Sequence, residues 1–267
     1  MTRQVCICLP SYKTMEPRMA FSVMSLIDRT KTAAMLDFGD AFIVHSRNKL
    51  ADEFLRTGIE WCLTIDDDMV VPFGNAPLFN SFTGFNLSEH FAGLNAVDRL
   101  LSHNKTLVGG LYFGRWRNGK GMYGEGSDPQ ELKFAKRGPH DTCKPTRWVG
   151  TGCMLIHRNV FLDIEKKFPH LARGSDGKGG QWFTSSEHDL RLAAGAAIRA
   201  LDEEHDEAKA VKLLKYALQV TKRHSSMGMG EDVQFCIRAT QAGHHPHVDM
   251  GCLCGHIGSY CYGEPTK

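Results

Sequence analysis

The sequence predicts an α/β fold: a mostly parallel sheet flanked by helices, with a helical insertion in its second half. Three observations predict it. Strand-like and helix-like segments alternate as strand, helix, strand, helix, strand within roughly the first seventy residues, as parallel sheets covered by helices require. A short apolar run, Trp61 to Ile65, has the length and boundaries of a buried strand, and ends in Asp66-Asp67-Asp68. The chain of 267 residues, 42% hydrophobic and 23% charged, is an ordinary globular composition with enough length for one substantial core.

Taken in order, Val5-Cys-Ile-Cys-Leu9 reads as a first strand stopped by Pro10-Ser11-Tyr12. A helix follows from about Pro17 to Thr30, with Met19, Val23, Leu26 and Ile27 on one face. Phe42-Ile-Val44 reads as a weaker second strand, and Asn48 or Ser46 as the cap of a helix that runs through Leu50, Phe54 and Leu55 to Gly58. After the Asp-rich strand, the stretch from Phe73 to His90 has the composition of a loop. A helix from about Ala92 to His103 then leads to a strand from Thr106 to Phe113. The stretch from Gly114 to Arg147 is polar and reads as a long surface loop. Trp148 to Ile156 returns to a strand, and Asn159 to Phe168 to a short helix.

The insertion is expected at about 181–226, after the glycine-rich stretch 174–180. Thr184-Ser-Ser-Glu187 has capping-box spacing. Leu190, Ala194, Ala197 and Leu201, and then Val211, Leu214 and Leu218, keep helical spacing on either side of an acidic stretch, Asp202 to Glu207. They read as the apolar face of two helices or one bent one. Lys209, Lys212, Lys215, Lys222 and Arg223 put a basic stripe on the second. The whole chain, 1–267, reads as one catalytic domain carrying this insertion.

The charge total excludes little and implies little: a net charge of +2 does not by itself point to a polyanionic partner. No apolar stretch approaches the length of a membrane span, and the first residues lead directly into a strand, so neither leader nor anchor is expected. Nine cysteines are an odd count, and Cys6, Cys8, Cys62 and Cys153 sit in apolar runs, as buried free thiols do. That suggests a reducing, cytoplasmic setting. Cys252-Leu-Cys254-Gly-His256 invites a zinc reading but lacks the partner pair with Cys-x-x-Cys spacing.

The Asp triplet carries the chemistry. Three carboxylates at the end of a buried strand are costly unless a cation or strong donors meet them. In an extended chain Asp66 and Asp68 would point to one side and Asp67 to the other. Two oxygen ligands on one side suit Mg2+ or Mn2+. Glu231-Asp232, after glycines, opens a helix, and His256 lies between Gly255 and Gly258.

In this order, Leu9-Pro10-Ser11-Tyr12, Arg47-Asn48, Ile65-Asp66-Asp67-Asp68-Met69, Val108-Gly109-Gly110, Gly150-Thr151-Gly152, Glu231-Asp232 and Gly255-His256 resemble the GT-A fold glycosyltransferases, in particular soluble members similar to glycosyltransferase family 2. The likeness covers roughly Val5 to Phe168 and Met229 to Gly258, and leaves out the insertion. It implies a GT-A, Rossmann-like sheet and a hexosyltransferase that takes a nucleotide-diphosphate sugar, a UDP-sugar first among them, with inversion. Pro10, Ser11 and Tyr12 would line the nucleoside pocket. Arg47 would lie near the nucleotide, and Asp66 and Asp67 on the donor side, with Asp66 near the ribose and the metal. Gly150 and Gly152 would let the backbone approach the sugar. Asp68, the second carboxylate of the family's Asp-x-Asp, and His256 would hold Mn2+ or Mg2+. Asp232 would be the base, with Glu231 orienting it or the acceptor. The dense His244-His-Pro-His247 cluster departs from the family pattern and leaves the metal histidine open.

A small, free-standing chain of this type also resembles phage-encoded glycosyltransferases, some of which act on modified DNA bases. That implies a hydroxymethylated base as acceptor, reached through the basic insertion, and the host cytoplasm as the setting. Two other readings stand beside this one. A sugar-nucleotide nucleotidyltransferase would need a glycine-rich basic loop after the first strand, where this chain has Pro10-Ser-Tyr-Lys13. A nucleic-acid-binding module without catalysis, using 209–223 and the basic loop 133–144, sits poorly with the near-neutral charge.

Overall fold

The structure is a computed structural model that describes residues 5–11, 15–29, 32–39, 42–85, 94–113, 123–125, 133–134, 142–172, 179–223, 230–258 and 261–262. Its strands are β1 (Val5–Ser11), β2 (Thr32–Gly39), β3 (Trp61–Ile65), β4 (Met69–Val70), β5 (Leu107–Leu111), β6 (Tyr123–Glu125), β7 (Lys133–Phe134), β8 (Cys143–Pro145), β9 (Trp148–Val149), β10 (Cys153–His157), β11 (His247–Leu253), β12 (Gly255–Ile257) and β13 (Cys261–Tyr262). The α-helices are α1 (Pro17–Arg29), α2 (Ile43–Thr57), α3 (Ala76–Thr83), α4 (Ala96–Ser102), α5 (Arg158–Lys167), α6 (Ser186–Asp202), α7 (Glu207–Arg223) and α8 (Glu231–Gln241).

One sheet organises them, in the order β2-β1-β3-β10-β5-β11-β8. β2, β1, β3, β5 and β11 run one way, and β10 and β8 run against them. This is the mixed, mostly parallel α/β sheet that the alternating segments predict. Side-chain alternation divides its two faces. Cys6 and Cys8 of β1, Cys62 of β3 and Met154 and Ile156 of β10 enter one core, with Leu50 and Phe54 of α2, Phe161 of α5 and Phe235 of α8. Val5, Ile7 and Leu9, Leu63 and Ile65, and Leu155 enter the other, with Met19 and Val23 of α1, Phe79 of α3 and Leu100 of α4.

Several local expectations are corrected. The second strand is β2, not Phe42 to Val44: Thr32–Gly39 pairs in parallel with β1, and Ile43 begins α2. Ser46 and Asn48 do not cap α2; Phe42 holds the N-cap position without a side-chain bond, and both polar residues are buried within the helix. Asn48 instead clamps a distant segment: its amide donates to the Phe183 carbonyl at 2.7 Å and accepts from the Phe183 N–H at 2.8 Å. The stretch after Phe73 is not all loop. Asn75 accepts from the Leu78 N–H to cap α3, and Gly84 at φ 71 ends it in the left-handed region that glycine tolerates. The polar stretch 114–147 contributes β6, β7 and β8. The strand foreseen from Trp148 to Ile156 is β9 and β10, separated by the turn Gly150-Thr151-Gly152.

The insertion is a helical hairpin. Ser185, not Thr184, caps α6 by accepting from the His188 N–H. Small residues form the seam: Ala193, Ala196, Ala197 and Ala200 of α6 are buried, as are Ala210, Leu213, Ala217 and Val220 of α7. Of the expected apolar faces Ala197 lies in the seam, whereas Leu201, Val211, Leu214 and Leu218 lie outside it and are exposed. The hairpin is tied to the sheet domain by a buried polar network. The Tyr216 hydroxyl donates to Asp189 at 2.6 Å, and Arg238 of α8 donates to the same carboxylate oxygen at 3.1 Å and to the Thr184 hydroxyl. Burial alone would raise the Asp189 carboxyl, but His170, Arg238 and Tyr216 hold it below its ordinary value.

Candidate active site

Open α/β sheets bind ligands beyond the carboxyl ends of their parallel strands. Six elements bring chemistry there. β3 delivers the Asp triplet, β5 is followed by Tyr112 and Phe113, and the Gly150–Gly152 turn leads into β10. α2 contributes Arg47, α8 opens with Glu231 and Asp232, and β12 carries His256.

The triplet is a turn rather than a strand continuation. Its backbone closes with the Met69 N–H donating to the Asp66 carbonyl at 3.1 Å, so strand alternation does not set the side-chain directions. The carboxylates part company by their partners instead. Asp66 takes both oxygens to one guanidinium nitrogen of Arg47, at 2.8 and 3.0 Å. Asp68 faces His256, with the Nε2 to carboxylate oxygen distance at 3.4 Å. The backbone of Asp67 accepts from the Glu16 N–H at 3.2 Å, which ties the turn to the start of α1.

Strand pairing sets the Asp68–His256 meeting. β12 runs antiparallel to β4, with His256 opposite Met69, and the Ile257 N–H donates to the Asp68 carbonyl at 2.8 Å. On the other side of the imidazole, Nδ1 lies 2.9 Å from the Phe113 carbonyl. A carbonyl only accepts, so Nδ1 carries a hydrogen and Nε2 is the nitrogen turned toward the Asp68 carboxylate. A ring nitrogen and a carboxylate oxygen aimed at each other share either a proton or a cation. Hydrogen bonding of the other ring nitrogen to a carbonyl is also how metal-ligating histidines are oriented. Asp68 and His256 therefore fit Mn2+ or Mg2+.

Arg47 joins the triplet to α8. Its guanidinium is only 6% exposed and donates to Asp66 and, through the other terminal nitrogen, to Glu231. Burial opposes its charge, but the Asp66 and Glu231 carboxylates more than offset that and raise its pKa. Asp232 is the group left in an unfavourable state. Burial first, and then the Glu231 charge, push its carboxyl up from 3.8 to about 6, against the pull of Arg47 and of the Val233 N–H that donates to it at 2.7 Å.

Tyr112 is the site residue that the sequence reading missed. It is buried, its hydroxyl accepts from the Gly152 N–H at 3.2 Å, and its ring meets His256 edge-on at 5.8 Å between centroids. Its pKa is raised by burial and then by Asp66 and Asp232, which places the phenol among the carboxylates. The signal was the Gly150-x-Gly152 pattern. A Cβ at Gly150 would lie 2.0 Å from the Tyr112 hydroxyl oxygen, and one at Gly152 2.9 Å from its ring, so both glycines make room for this tyrosine. Gly150→Ala is expected to destabilise by roughly 1–3 kcal/mol through this overlap. Part should return in Gly150→Ala/Tyr112→Phe, read as melting temperatures; equal losses in both would assign the effect to the backbone.

Of the remaining expectations, Pro10 is buried and Ser11 half-buried at the end of β1, at the same edge of the sheet, whereas Tyr12 lies outside the described residues. The His244–His247 cluster lies at the opposite edge: His244 bonds Thr106, just before β5, at 3.1 Å, and Asp163 of α5 at 3.0 Å. It has no part in the Asp68 site. The cysteines of Cys252-Leu-Cys254 group with Cys153, all three buried with sulfur atoms within 4.8 Å of one another.

No protein-family model matches the sequence, and no curated protein matches it. Among solved structures, the chain is similar to the crystal structure of A197 from STIV, at 11% identity and a TM-score of 0.48 over 96% of this chain and 86% of that one. It is also similar to a glycosyltransferase involved in the glycosylation of the major capsid of PBCV-1, at 13% identity and a TM-score of 0.28, covering 62% and 68% of the two chains. Likenesses this distant carry no functional weight, and the chemistry is read from the side chains.

Proposed function

We propose that the chain is a metal-dependent glycosyltransferase that moves a hexose from a nucleotide-diphosphate sugar, a UDP-sugar first among donors, to an acceptor hydroxyl with inversion. The observation that carries this reading is the Asp68–His256 pair, a carboxylate oxygen and an imidazole nitrogen turned to one another at the strand-end edge of the sheet, beside Asp232, a carboxylate of raised pKa. Mn2+ or Mg2+ held by Asp68 and His256 would supply positive charge to the diphosphate of the donor. Arg47 holds Asp66 and Glu231 in place and keeps a fixed cation between the triplet and α8. Pro10 and Ser11 lie where the nucleoside would enter. Asp232 takes the proton of the acceptor hydroxyl as that oxygen bonds to the anomeric carbon, and the bond from that carbon to the diphosphate breaks with its electrons leaving on the nucleotide.

Among the described residues no helix is long and apolar enough to cross a membrane. Lys209, Lys212 and Lys215 are exposed, but Lys209 is ion-paired with Glu204 in the hairpin turn. The test is a thermal-shift panel of nucleoside diphosphates and nucleotide sugars with and without Mn2+. A ligand at about a hundred times its Kd adds roughly 2.7 kcal/mol, which moves the melting point by several degrees. Metal-dependent stabilisation by one nucleotide supports the reading, and no response to any nucleotide refutes it.

A further inference from the structure

The fold collects three thiols that the candidate active site does not use. Cys153 opens β10, Cys252 lies near the end of β11, and Cys254 joins β11 to β12. All three are fully buried, and their sulfur atoms lie within 4.8 Å of one another. Sulfurs that share one ion at roughly 2.3 Å stand about 4 Å apart in a triangle. A buried thiol by itself is an ordinary small core residue, so the meaning lies in the convergence. Cys6, Cys8 and Cys62 make only a row, with Cys8 3.9 Å from Cys6 and 3.4 Å from Cys62. Among the described residues no other trio of thiols meets the closer grouping.

The backbone is shaped for this meeting. β11 faces β5 with Asp249 opposite Gly110 and Leu253 opposite Leu111, so Met250, Gly251 and Cys252 are extra to the ladder. Buried Asp249 props the bulge. Its carboxylate accepts from the Gly251 N–H at 2.8 Å and from Arg99 at 2.7 Å, and lies 2.6 Å from His103. Beyond the bulge, the Cys254 N–H donates to the Leu111 carbonyl at 2.8 Å. Gly110 gives the sulfurs their room: a Cβ there would lie 2.9 Å from the Cys254 sulfur and 3.1 Å from the Cys252 sulfur. The Gly110 N–H is directed at the Cys153 sulfur, and such bonds are among the levers that proteins use on metal-bound thiolates.

The donor set chooses the ion. Three sulfurs in one core with Val108, Leu155 and Ile257 suit a soft cation and disfavour the hard Mn2+ or Mg2+ that fits Asp68 and His256. Structural zinc takes four ligands, and among the described residues no fourth His, Cys, Asp or Glu joins the three. Cu(I) is soft and stable with three sulfurs.

We propose that Cys153, Cys252 and Cys254 form a three-sulfur site for Cu(I) that ties the Gly150–Gly152 turn to the strand carrying His256. Cys153 follows Gly152 directly and Cys254 precedes Gly255-His256, so one ion would fix both. It displaces the thiol protons as it binds, and touches no substrate. Anaerobic titration of the reduced full chain with Cu(I) against a chromophoric chelator tests the site, followed by X-ray absorption of the loaded protein. One tightly held Cu(I) per chain with a shell of three sulfurs is expected, and the melting point should rise by several degrees at about a hundred times the Kd. Cys153→Ala should weaken binding by more than about a hundredfold, because losing a group that only orients a ligand already costs about 10–100-fold. Cys8→Ala and Asp68→Ala should leave the affinity unchanged, which separates this site from the thiol row and from the Asp68–His256 pair. The measurement on the wild-type chain stands even where Cys153→Ala fails to fold. No stoichiometric copper, or a shell of two sulfurs, overturns the proposal. Copper kept by Cys153→Ala overturns it equally, and Zn(II) that outcompetes Cu(I) overturns the three-coordinate assignment.

Discussion

Asp232→Asn is expected to abolish turnover while making the protein more stable at neutral pH. The two effects have one cause. Asp232 titrates near 6 in the folded chain, against an ordinary value of 3.8, because burial and then Glu231 disfavour its charge. The folded state therefore binds the proton more tightly than the unfolded state. Its contribution to stability is fully present below about pH 4, and is lost as pH rises to about 6, where the carboxylate must ionise in place. Each pKa unit is worth about 1.4 kcal/mol, so the asparagine form should gain roughly 1–3 kcal/mol at pH 7, less whatever attraction to Arg47 it gives up. Removal of a general base lowers the rate by roughly 10²–10⁴. For the wild-type protein, kcat/KM of the free enzyme should fall away below about pH 6. A melting temperature that drops in Asp232→Asn, or a pH profile flat through this range, would detach Asp232 from the base role.

The sequence made some of this legible for identifiable reasons. β3 and the triplet stand out because a buried apolar run ending in three acids has few uneventful explanations. β2 did not stand out: Ala33-Ala34-Met35-Leu36 is a run without β-branched residues broken by Asp37, while Ile43 and Val44 are β-branched but open a helix. Ser46 and Asn48 read as cap material because polar residues inside a helix usually face water. Here Asn48 is buried against the Phe183 backbone and Arg47 against two carboxylates, which only the assembled fold reveals. Tyr112 was hidden by its company, since an aromatic residue at the end of an apolar strand reads as core. The hairpin gave the opposite error: spacing found a true apolar stripe on each helix, but periodicity cannot say which of two adjacent stripes the chain itself covers.

The sharpest expectation concerns Asp68. Asp68→Ala should remove the metal-dependent part of nucleotide stabilisation and leave the fold intact, because the side chain is partly exposed and its backbone carbonyl keeps the bond from the Ile257 N–H. Asp66→Ala should behave differently. It strips Arg47 of a partner that takes two hydrogen bonds and leaves a nearly buried guanidinium with Glu231 as its remaining close acid, so it should destabilise the protein by roughly 1.5–3 kcal/mol in the absence of any ligand. The contrast separates two kinds of carboxylate two residues apart in one turn: one that answers an internal cation and one that faces a histidine nitrogen. Thermal melts of both variants with a nucleoside diphosphate, with and without Mn2+, check it. If Asp68→Ala keeps the metal-dependent shift, the cation is held elsewhere and the Asp68–His256 assignment fails. If the shift is lost only there, while Asp66→Ala is already unstable without ligand, the triplet divides its labour as its hydrogen bonds indicate.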